Sequence, residues 1–335
     1  MKNTQYKVQV FTGIRPSGGL TIANAIGAVD PIVKLQSSNE IEKCMVFVAD
    51  LHALTDGEPQ YTQSNVLDVV KDYIALGLDP KKNMIFIQSS LTEEISELNL
   101  YLSRLVTISE LLRIPTLKEK IKKGQNENNA SVLLAMYPVM MASDILLQKA
   151  EYVPVGDDQV VHIEFTRTLA QKFNRKYKEV FPIPKVLSLG EPLRIKSLTG
   201  EGKMSKTDPN GAILLDDPID TSLNKIKRAQ TAFAKERSDT LDTLVSIGEF
   251  VSDDGGKNEI HNIMDRHYNG ENVMGELKSV ISKYLKIYLE EFQEKKNAID
   301  EGEIEEMVST NGKYAKESAK STIQEVREAL GMKYL

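Results

Sequence analysis

The sequence predicts an α/β fold, a Rossmann-type domain with a parallel sheet followed by an all-α C-terminal domain. Short runs rich in β-branched residues alternate with helical periods in the first ninety residues. A Gly- and Pro-rich break at residues 15–19 leads from the first run into a helix, a layout that presents backbone N–H groups to a nucleotide. Strand signals stop after about residue 215. The strand–helix order therefore predicts a parallel sheet with right-handed crossovers.

The first elements follow from local patterns. Residues 7–13 alternate and predict the first strand, and Thr21 is a plausible N-cap for the helix that follows. Residues 44–50 form a continuous apolar run, as expected for a strand buried on both faces. Residues 64–77 have a helical period that ends at a glycine, and residues 84–89 predict a third strand.

The next part of the chain is predicted to be mainly helical, as an insertion over about residues 90–148. A short strand is expected within 151–159, where it ends in a Gly-Asp-Asp turn. A helix should follow over 160–173, and residues 192–198 form a further strand or loop.

The last third has helical periods. Apolar residues recur from Leu277 to Phe292 at the spacing of a long amphipathic helix, and residues 302–330 are also helical in character. Residues 236–242 and 252–259 are expected to be surface loops. We therefore predict a catalytic domain over 1–215 and a helical domain over 216–335.

Composition restricts the class of protein. The 335 residues are 41% hydrophobic and 27% charged, and no apolar run reaches the roughly 20 residues that span a bilayer. The N-terminus lacks an apolar signal core, and Cys44 is the only cysteine, so a cytoplasmic protein with no membrane partner is expected. The four histidines lack the spacing of a metal site, so no bound metal is predicted.

Charge gives a weaker indication of partners. The net charge of −6 argues against a DNA-coating role, which needs a broad basic surface. Two basic segments, 118–124 and 225–229, could contact RNA locally or could be solvated helix faces, and the sequence alone leaves both interpretations open.

The segment Lys203-Met204-Ser205-Lys206-Thr207 places two ammonium groups and two hydroxyls on a loop that turn-forming residues bound on both sides. Such a loop suits a polyphosphate, because its lysines can neutralise charge that develops on a leaving pyrophosphate. The alternative is an ordinary pair of surface lysines. Together with residues 11–29, the segment suggests that ATP is held from both ends for nucleotidyl transfer.

Three stretches resemble a known family. Thr21-Ile22-Ala23-Asn24 resembles the first signature of class I aminoacyl-tRNA synthetases, and residues 203–207 resemble the second. Residues 137–167 match the tryptophan-specific members most closely. The chain thus resembles the bacterial-type tryptophanyl-tRNA synthetases over its whole length, more loosely beyond about residue 210. Ala23 stands where that family usually has glycine, and Thr207 where it has serine.

The resemblance implies a two-step reaction. The tryptophan carboxylate attacks the α-phosphorus of ATP, which gives tryptophanyl-adenylate and pyrophosphate, and the terminal adenosine of tRNA(Trp) then accepts the aminoacyl group. Mg²⁺ is expected to enter with ATP. The implied partners are ATP, L-tryptophan and tRNA(Trp), and the family works as a homodimer whose C-terminal domain binds the anticodon; DNA is not an expected partner.

The resemblance also implies an ATP site. Its residues would be Arg15, Pro16, Ser17, Ala23, Asn24, Gly156, Asp157, Asp158, Ile195, Lys203, Met204, Ser205, Lys206 and Thr207. The groups expected to act on the phosphates during catalysis are Lys203, Ser205 and Lys206, joined by Lys120 from a helical region.

The amino-acid pocket that the resemblance implies centres on Asp144, whose carboxylate would accept the indole N–H. An aspartate in an apolar run is costly to bury unpaired, although Asp144 could instead cap a helix or pair with a lysine. The remaining pocket residues would be Phe11, Met141, Val153 and Val155 as apolar walls, Tyr137 and Gln159 for the α-ammonium, and His52 nearby. His52 and His162 could each be an ordinary packed histidine, and His162 is left outside the predicted site.

Three alternatives remain open. A tyrosine-specific sister enzyme would need a different polar arrangement from the one between Met141 and Asp144. A non-catalytic RNA-binding paralogue would be indicated by the loss of Lys203 or Lys206, and both are present. An adenylating ligase that does not use tRNA would have less need of a long helical C-terminal domain.

Overall fold

The structure is a computed structural model. It describes residues 10–16, 18–36, 44–55, 59–124, 130–156, 159–187, 195–200, 202–206 and 208–332.

Five strands in the described residues form one parallel sheet in the order β3-β2-β1-β4-β5. The strands are β1 Val10–Ile14, β2 Cys44–Val48, β3 Asn83–Ile87, β4 Tyr152–Pro154 and β5 Lys185–Leu187. Strand β1 pairs with β2 on one side and with β4 on the other, so the strand order reverses at β1. All five residues of β2 are buried, which confirms that this apolar run is covered on both faces.

The helices follow the strands as the pattern predicts. In the first part of the chain they are α1 Ile22–Asn24, α2 Asp30–Leu35, α3 Asp50–Ala53, α4 Pro59–Ala75, α5 Thr92–Ser103, α6 Ile108–Leu111, α7 Pro115–Gly124, α8 Val132–Leu147 and α9 Val160–Lys176. A π-helical turn, Ala25–Val29, joins α1 to α2, and a 3₁₀ turn, Gln88–Leu91, follows β3. The C-terminal helices are α10 Ile219–Arg228, α11 Asp239–Val251, α12 Asp254–Tyr268, α13 Met274–Asn297 and α14 Glu301–Ala329.

Two hydrophobic clusters cover the two faces of the sheet. Alternate strand residues such as Val46 and Phe47 belong to opposite clusters, as the strand period requires. The first cluster continues into α11, α12 and α13, so the helical part shares a core with one face of the sheet. None of the described helices combines the length and the apolarity that a bilayer crossing requires.

Helix α14 returns to the sheet after the other C-terminal helices. It packs along the edge strand β3, where the Asn311 side-chain amide donates to the carbonyl of Ile85 at 2.9 Å. Its Ala315, Ala319 and Ile323 belong to the second cluster. The helix therefore covers an edge of the sheet that would otherwise expose unpaired backbone groups.

Several predictions of local structure are wrong. Residues 254–259 belong to α12, because the Asp253 side chain accepts from the N–H of Gly256 at 2.8 Å and caps the helix. Residues 239–242 begin α11 in the same way, with Ser238 as the cap. Strand β5 was not predicted, because three residues are too short to give a periodic signal.

A partly buried ion-pair cluster joins α13 to the residues around the sheet. Lys296 Nζ lies 2.6 Å from Asp72 Oδ1, 3.0 Å from Asp68 Oδ1 and 2.9 Å from Asp216 Oδ2. The Asp72 side chain is 1% exposed. Burial raises the pKa of Asp72 to about 6, even though Lys296 favours the ionised form.

The raised pKa of Asp72 predicts a pH-dependent stability. The folded chain binds a proton at Asp72 that the unfolded chain has already released, so this contribution is complete below about pH 4 and is lost as the pH rises through about 6. We expect about 3 kcal/mol of the free energy of unfolding to be lost over this interval. Urea unfolding of the protein and of Asp72→Asn from pH 4 to 7 should show a difference that shifts in favour of the variant as pH rises. A constant difference would contradict this.

Candidate active site

A cavity of about 400 Å³ opens at the carboxyl end of the sheet, between β1 and β4. Ligands of open parallel sheets bind at this place, because the strand order reverses there and the flanking loops diverge. The predicted site residues that line the cavity are Phe11, Arg15, His52, Lys120, Tyr137, Met141, Val153, Val155, Gly156 and Gln159. The structure therefore brings together predicted residues from four separate stretches of the chain, around residues 11–15, 52, 120 and 137–159.

Aromatic rings form one wall of the cavity. Phe11 on β1 stacks on Phe47 of β2, with ring centroids 4.7 Å apart. The adjacent Gly13 has to be glycine, because a Cβ there would lie 2.5 Å from Cζ of Phe47. Val153 and Val155, from β4 and the loop after it, and Met141 from α8 supply further apolar surface. This wall suits a flat apolar ring.

A polar network lies on another side of the cavity. The Tyr137 hydroxyl is 3.0 Å from Thr116 Oγ1 and 3.2 Å from His162 Nε2, and Thr116 Oγ1 is 2.7 Å from the same nitrogen. Lys120 Nζ lies 5.1 Å from the centroid of the Tyr137 ring. The network holds the tyrosine ring and the lysine side by side at the cavity.

Asp144 lies behind the cavity wall, in the last turn of α8, and is 4% exposed. Its Oδ2 accepts from His52 Nε2 at 3.0 Å, and Gln88 Nε2 donates to Oδ1 at 3.0 Å and to Oδ2 at 2.8 Å. Its partners in the described part of the chain are a histidine and a glutamine, so among those residues Asp144 neither caps a helix nor pairs with a lysine. Because its partner His52 lines the cavity, this carboxylate lies directly beside the cavity.

The first signature forms a capped helix start. The Thr21 hydroxyl accepts from the N–H of Asn24 at 3.2 Å, and Asn24 Oδ1 accepts from the N–H of Thr21 at 3.0 Å. This capping box confirms the predicted N-cap. The π-helical turn that follows presents Gly27 and Ala28 to the cavity, and such turns are frequent at functional sites.

The second signature, described over residues 203–206, lies against the loop that follows β1. Lys206 Nζ donates to the carbonyl of Gly18 at 2.5 Å, and Gly18 has φ = +86°, a conformation that favours glycine. Met204 is buried and donates its N–H to the carbonyl of Ile195 at 3.1 Å, whereas Lys203 is exposed. Burial lowers the pKa of Lys206, and the negative charge of Asp72 opposes this effect.

The other predicted residues divide into two groups. Among the described residues, Pro16, Ala23, Asn24, Ile195 and the 203–206 segment lie outside the cavity lining, as does Asp144. Ser17, Asp157, Asp158 and Thr207 are not among the described residues.

Sequence reasoning missed several residues of the cavity and its support. They are Gln88, Thr116, Gly13, Gly27, Ala28, Ile145 and His162. Gly13 and Gly27 carried a usable signal in the sequence, because a glycine within a strand or helix often marks a close backbone approach. A single glutamine or threonine has no such signal, since its role depends on which residues the fold brings to it.

Comparison with known proteins agrees with this geometry. The sequence pattern of the class I tRNA synthetases for tryptophan and tyrosine matches residues 2–328, and the chain belongs to that family.

The similar proteins include several tryptophan–tRNA ligases. A tryptophan–tRNA ligase from Caldanaerobacter subterraneus is 36% identical over 335 residues, which cover 97% of this chain and 98% of the relative. The crystal structure of tryptophanyl-tRNA synthetase from Campylobacter jejuni in complex with ADP and tryptophan is 29% identical, with a TM-score of 0.81 and coverage of 97% and 100%. The enzyme from Mycoplasma pneumoniae is also 29% identical, with a TM-score of 0.84 and coverage of 97% and 98%.

Proposed function

We propose that this chain is a tryptophan–tRNA ligase, which activates tryptophan with ATP and transfers it to tRNA(Trp). The observation that carries the proposal is the cavity between β1 and β4, where an aromatic wall lies beside His52, which together with Gln88 contacts the buried carboxylate of Asp144. Tryptophan has one polar group on its ring, an N–H donor, and a buried acceptor is the group that selects for it. The family and the relatives support the same conclusion.

The indole ring would lie against Phe11, Met141 and the β4 valines. Its N–H would reach Asp144 Oδ2, which His52 Nε2 faces at 3.0 Å. A carboxylate offers about four acceptor sites, so Asp144 can serve Gln88, His52 and a ligand together. Tyr137 and Gln159, which also line the cavity, would bind the α-ammonium.

ATP would occupy the part of the site between the two signatures. Arg15, Pro16 and Ser17 would contact it from the first loop, and Ala23 and Asn24 from the helix start. The turn of Gly156, Asp157 and Asp158 would meet the ribose, and Ile195 would back the adenine. Mg²⁺ would enter as part of the Mg²⁺-ATP substrate.

The reaction needs no covalent bond to the protein. The tryptophan carboxylate attacks the α-phosphorus as pyrophosphate leaves, so the chain contributes alignment and charge stabilisation. Lys203, Lys206 and the Ser205 and Thr207 hydroxyls would bind the leaving pyrophosphate, and Lys120 would reach the phosphates from α7. The adenylate then transfers its aminoacyl group to a hydroxyl of the terminal adenosine.

Residues 1–215 would form the catalytic domain and residues 216–335 the anticodon-binding domain of a cytoplasmic enzyme. The basic segments 118–124 and 225–229 would contact RNA phosphates, which gives binding that weakens with salt.

The test of the proposed function is aminoacylation with transcripts of tRNA(Trp) and tRNA(Tyr). Charging of the first alone with tryptophan supports the proposal, and charging of the second with tyrosine would contradict it.

A homodimer is also proposed, and exposed apolar side chains on three neighbouring helices support it. Helices α5 and α6 both contact α8. The exposed residues on these helices and their ends are Leu100, Ile108, Leu112, Val132 and Leu133. Apolar groups grouped in this way are typical of surfaces that another protein covers.

If these exposed apolar side chains form the dimer interface, one charged substitution there should separate the subunits. Ile108 is 77% exposed, so Ile108→Glu should leave the fold intact and place a carboxylate in the interface. Light scattering after size exclusion should give a dimer for the unmodified protein and a monomer for the variant, since an unpaired charge in a small apolar interface costs several kcal/mol. Tyr314→Glu, at an apolar residue of α14 that is 63% exposed, is the control and should remain a dimer. An unmodified protein that is monomeric would refute the dimer.

A further inference from the structure

Gln88 is the residue that connects the elements around Asp144. It is 1% exposed and begins the 3₁₀ turn directly after β3. Its Oε1 accepts from the backbone N–H groups of Leu51 at 3.1 Å and His52 at 3.2 Å. Its Nε2 donates to both carboxylate oxygens of Asp144. One amide side chain thus contacts the start of α3 and the last turn of α8.

These contacts fix the orientation of the amide. Backbone N–H groups can only donate, so the oxygen of Gln88 must face α3 and its NH₂ group must face Asp144. The NH₂ group faces both oxygens of Asp144 and holds the carboxylate in one orientation. A carboxylate oxygen can only accept, so the Nε2 atom of His52 that faces Oδ2 at 3.0 Å carries a hydrogen.

We propose that Gln88 is a positioning residue for amino-acid selection: it orients the Asp144 carboxylate as an acceptor and fixes His52 beside it, so that the pocket accepts only a ring with a hydrogen-bond donor. The inference rests on the proposed function, because it assumes that tryptophan is the ligand. Gln88 acts through Asp144 and His52 and does not itself line the cavity among the described residues.

The variant that tests this is Gln88→Glu. A glutamate keeps the shape and still accepts from Leu51 and His52, but it replaces the donor with a second carboxyl group 2.8–3.0 Å from Asp144. Two carboxylates at that distance cannot both ionise, so Asp144 is either protonated or displaced. Selection of tryptophan over rings without a donor should fail, while the hydrogen bonds from the N–H groups of Leu51 and His52 to residue 88 still connect β3 with α3.

A matched control is available at the other end of β3. Gln36 Oε1 accepts from the N–H of Asp79 at 2.9 Å and from Asn83 Nδ2 at 2.7 Å, and its Nε2 donates to the carbonyl of Gly77 at 2.7 Å. Gln36→Glu therefore removes a comparable structural hydrogen bond at the other end of the same strand. It should lower thermal stability without changing selection.

The readout is pyrophosphate exchange with tryptophan and with 3-benzothienylalanine, an isostere that lacks the ring donor. The unmodified protein should favour tryptophan by at least about 10²-fold in kcat/KM. Gln88→Glu should lose about 10- to 100-fold in kcat/KM for tryptophan, reduce this preference towards one and keep the KM for ATP within about twofold. Gln88→Glu with lowered stability and an unchanged preference would overturn the inference. Tryptophan-dependent exchange by the unmodified protein tests the proposed function separately.

A second variant keeps the inference testable if Gln88→Glu does not fold. The double variant Gln88→Glu, Asp144→Asn re-forms the hydrogen bond in the reverse direction, because the asparagine can donate to the glutamate. It should fold and bind ATP, yet bind tryptophan about tenfold or more weakly, because position 144 no longer carries a carboxylate acceptor. Affinity for tryptophan equal to that of the unmodified protein would refute the inference.

Discussion

Replacing Lys206 with methionine is expected to slow the formation of tryptophanyl-adenylate by about 10²–10³-fold, the effect of losing one preorganised charge donor. Lys206 Nζ lies against the carbonyl of Gly18, where the second signature meets the first loop. A partly buried ammonium is less shielded by water, so its attraction for pyrophosphate is stronger than that of an exposed lysine. Tryptophan binding should be unchanged, because Lys206 is outside the cavity lining.

The measurement is a single-turnover assay of adenylate formation with saturating ATP and tryptophan. Lys81→Met, at an exposed lysine in the turn before β3, is the control and should react at the normal rate. An unchanged rate for Lys206→Met would remove this lysine from the mechanism.

Replacing Asp144 with asparagine should weaken tryptophan binding by about 10²–10³-fold and leave ATP binding nearly intact. The substitution preserves shape but removes the charge, and the new NH₂ group competes with the donors Gln88 and His52. Losing one partner of a buried charged hydrogen bond costs about 2–5 kcal/mol.

The chain contains no tryptophan, so the ligand can be followed by its own fluorescence without a tryptophan background. Titration of the unmodified protein, Asp144→Asn and Glu94→Gln gives the three affinities directly. Glu94 is also buried, at 5% exposure on α5, but it lies outside the cavity lining, so its variant should bind tryptophan normally. Equal losses for tryptophan and ATP in Asp144→Asn would mean that Asp144 is structural.

Most of the sheet could be predicted from the sequence because its signals are local. The buried run at β2 and the cap at Thr21 depend on neighbouring residues alone, and both are confirmed. The start of α12 could not be predicted in the same way. Its glycines favour a loop locally, but Asp253 caps the helix and Gly256 packs against Tyr284 of α13.

The residues of the candidate site differ in the same way: some carry a local signal in the sequence, whereas others are identified only by the fold. Asp144 attracts notice in sequence because a carboxylate within an apolar run needs a partner. Which residues contact Asp144 depends on the tertiary fold, because Gln88 lies 56 residues away along the chain and His52 lies 92 residues away. The π-helical turn that presents Gly27 is likewise set by packing and not by helix period.

The most direct test of the central claim is exchange of labelled pyrophosphate into ATP, run separately with each of the standard amino acids. The account predicts exchange with tryptophan alone, because the cavity offers an apolar ring site and one buried acceptor for a ring donor. Exchange with tyrosine would contradict the assignment of Asp144. Absence of exchange with every amino acid would contradict the proposed activity itself.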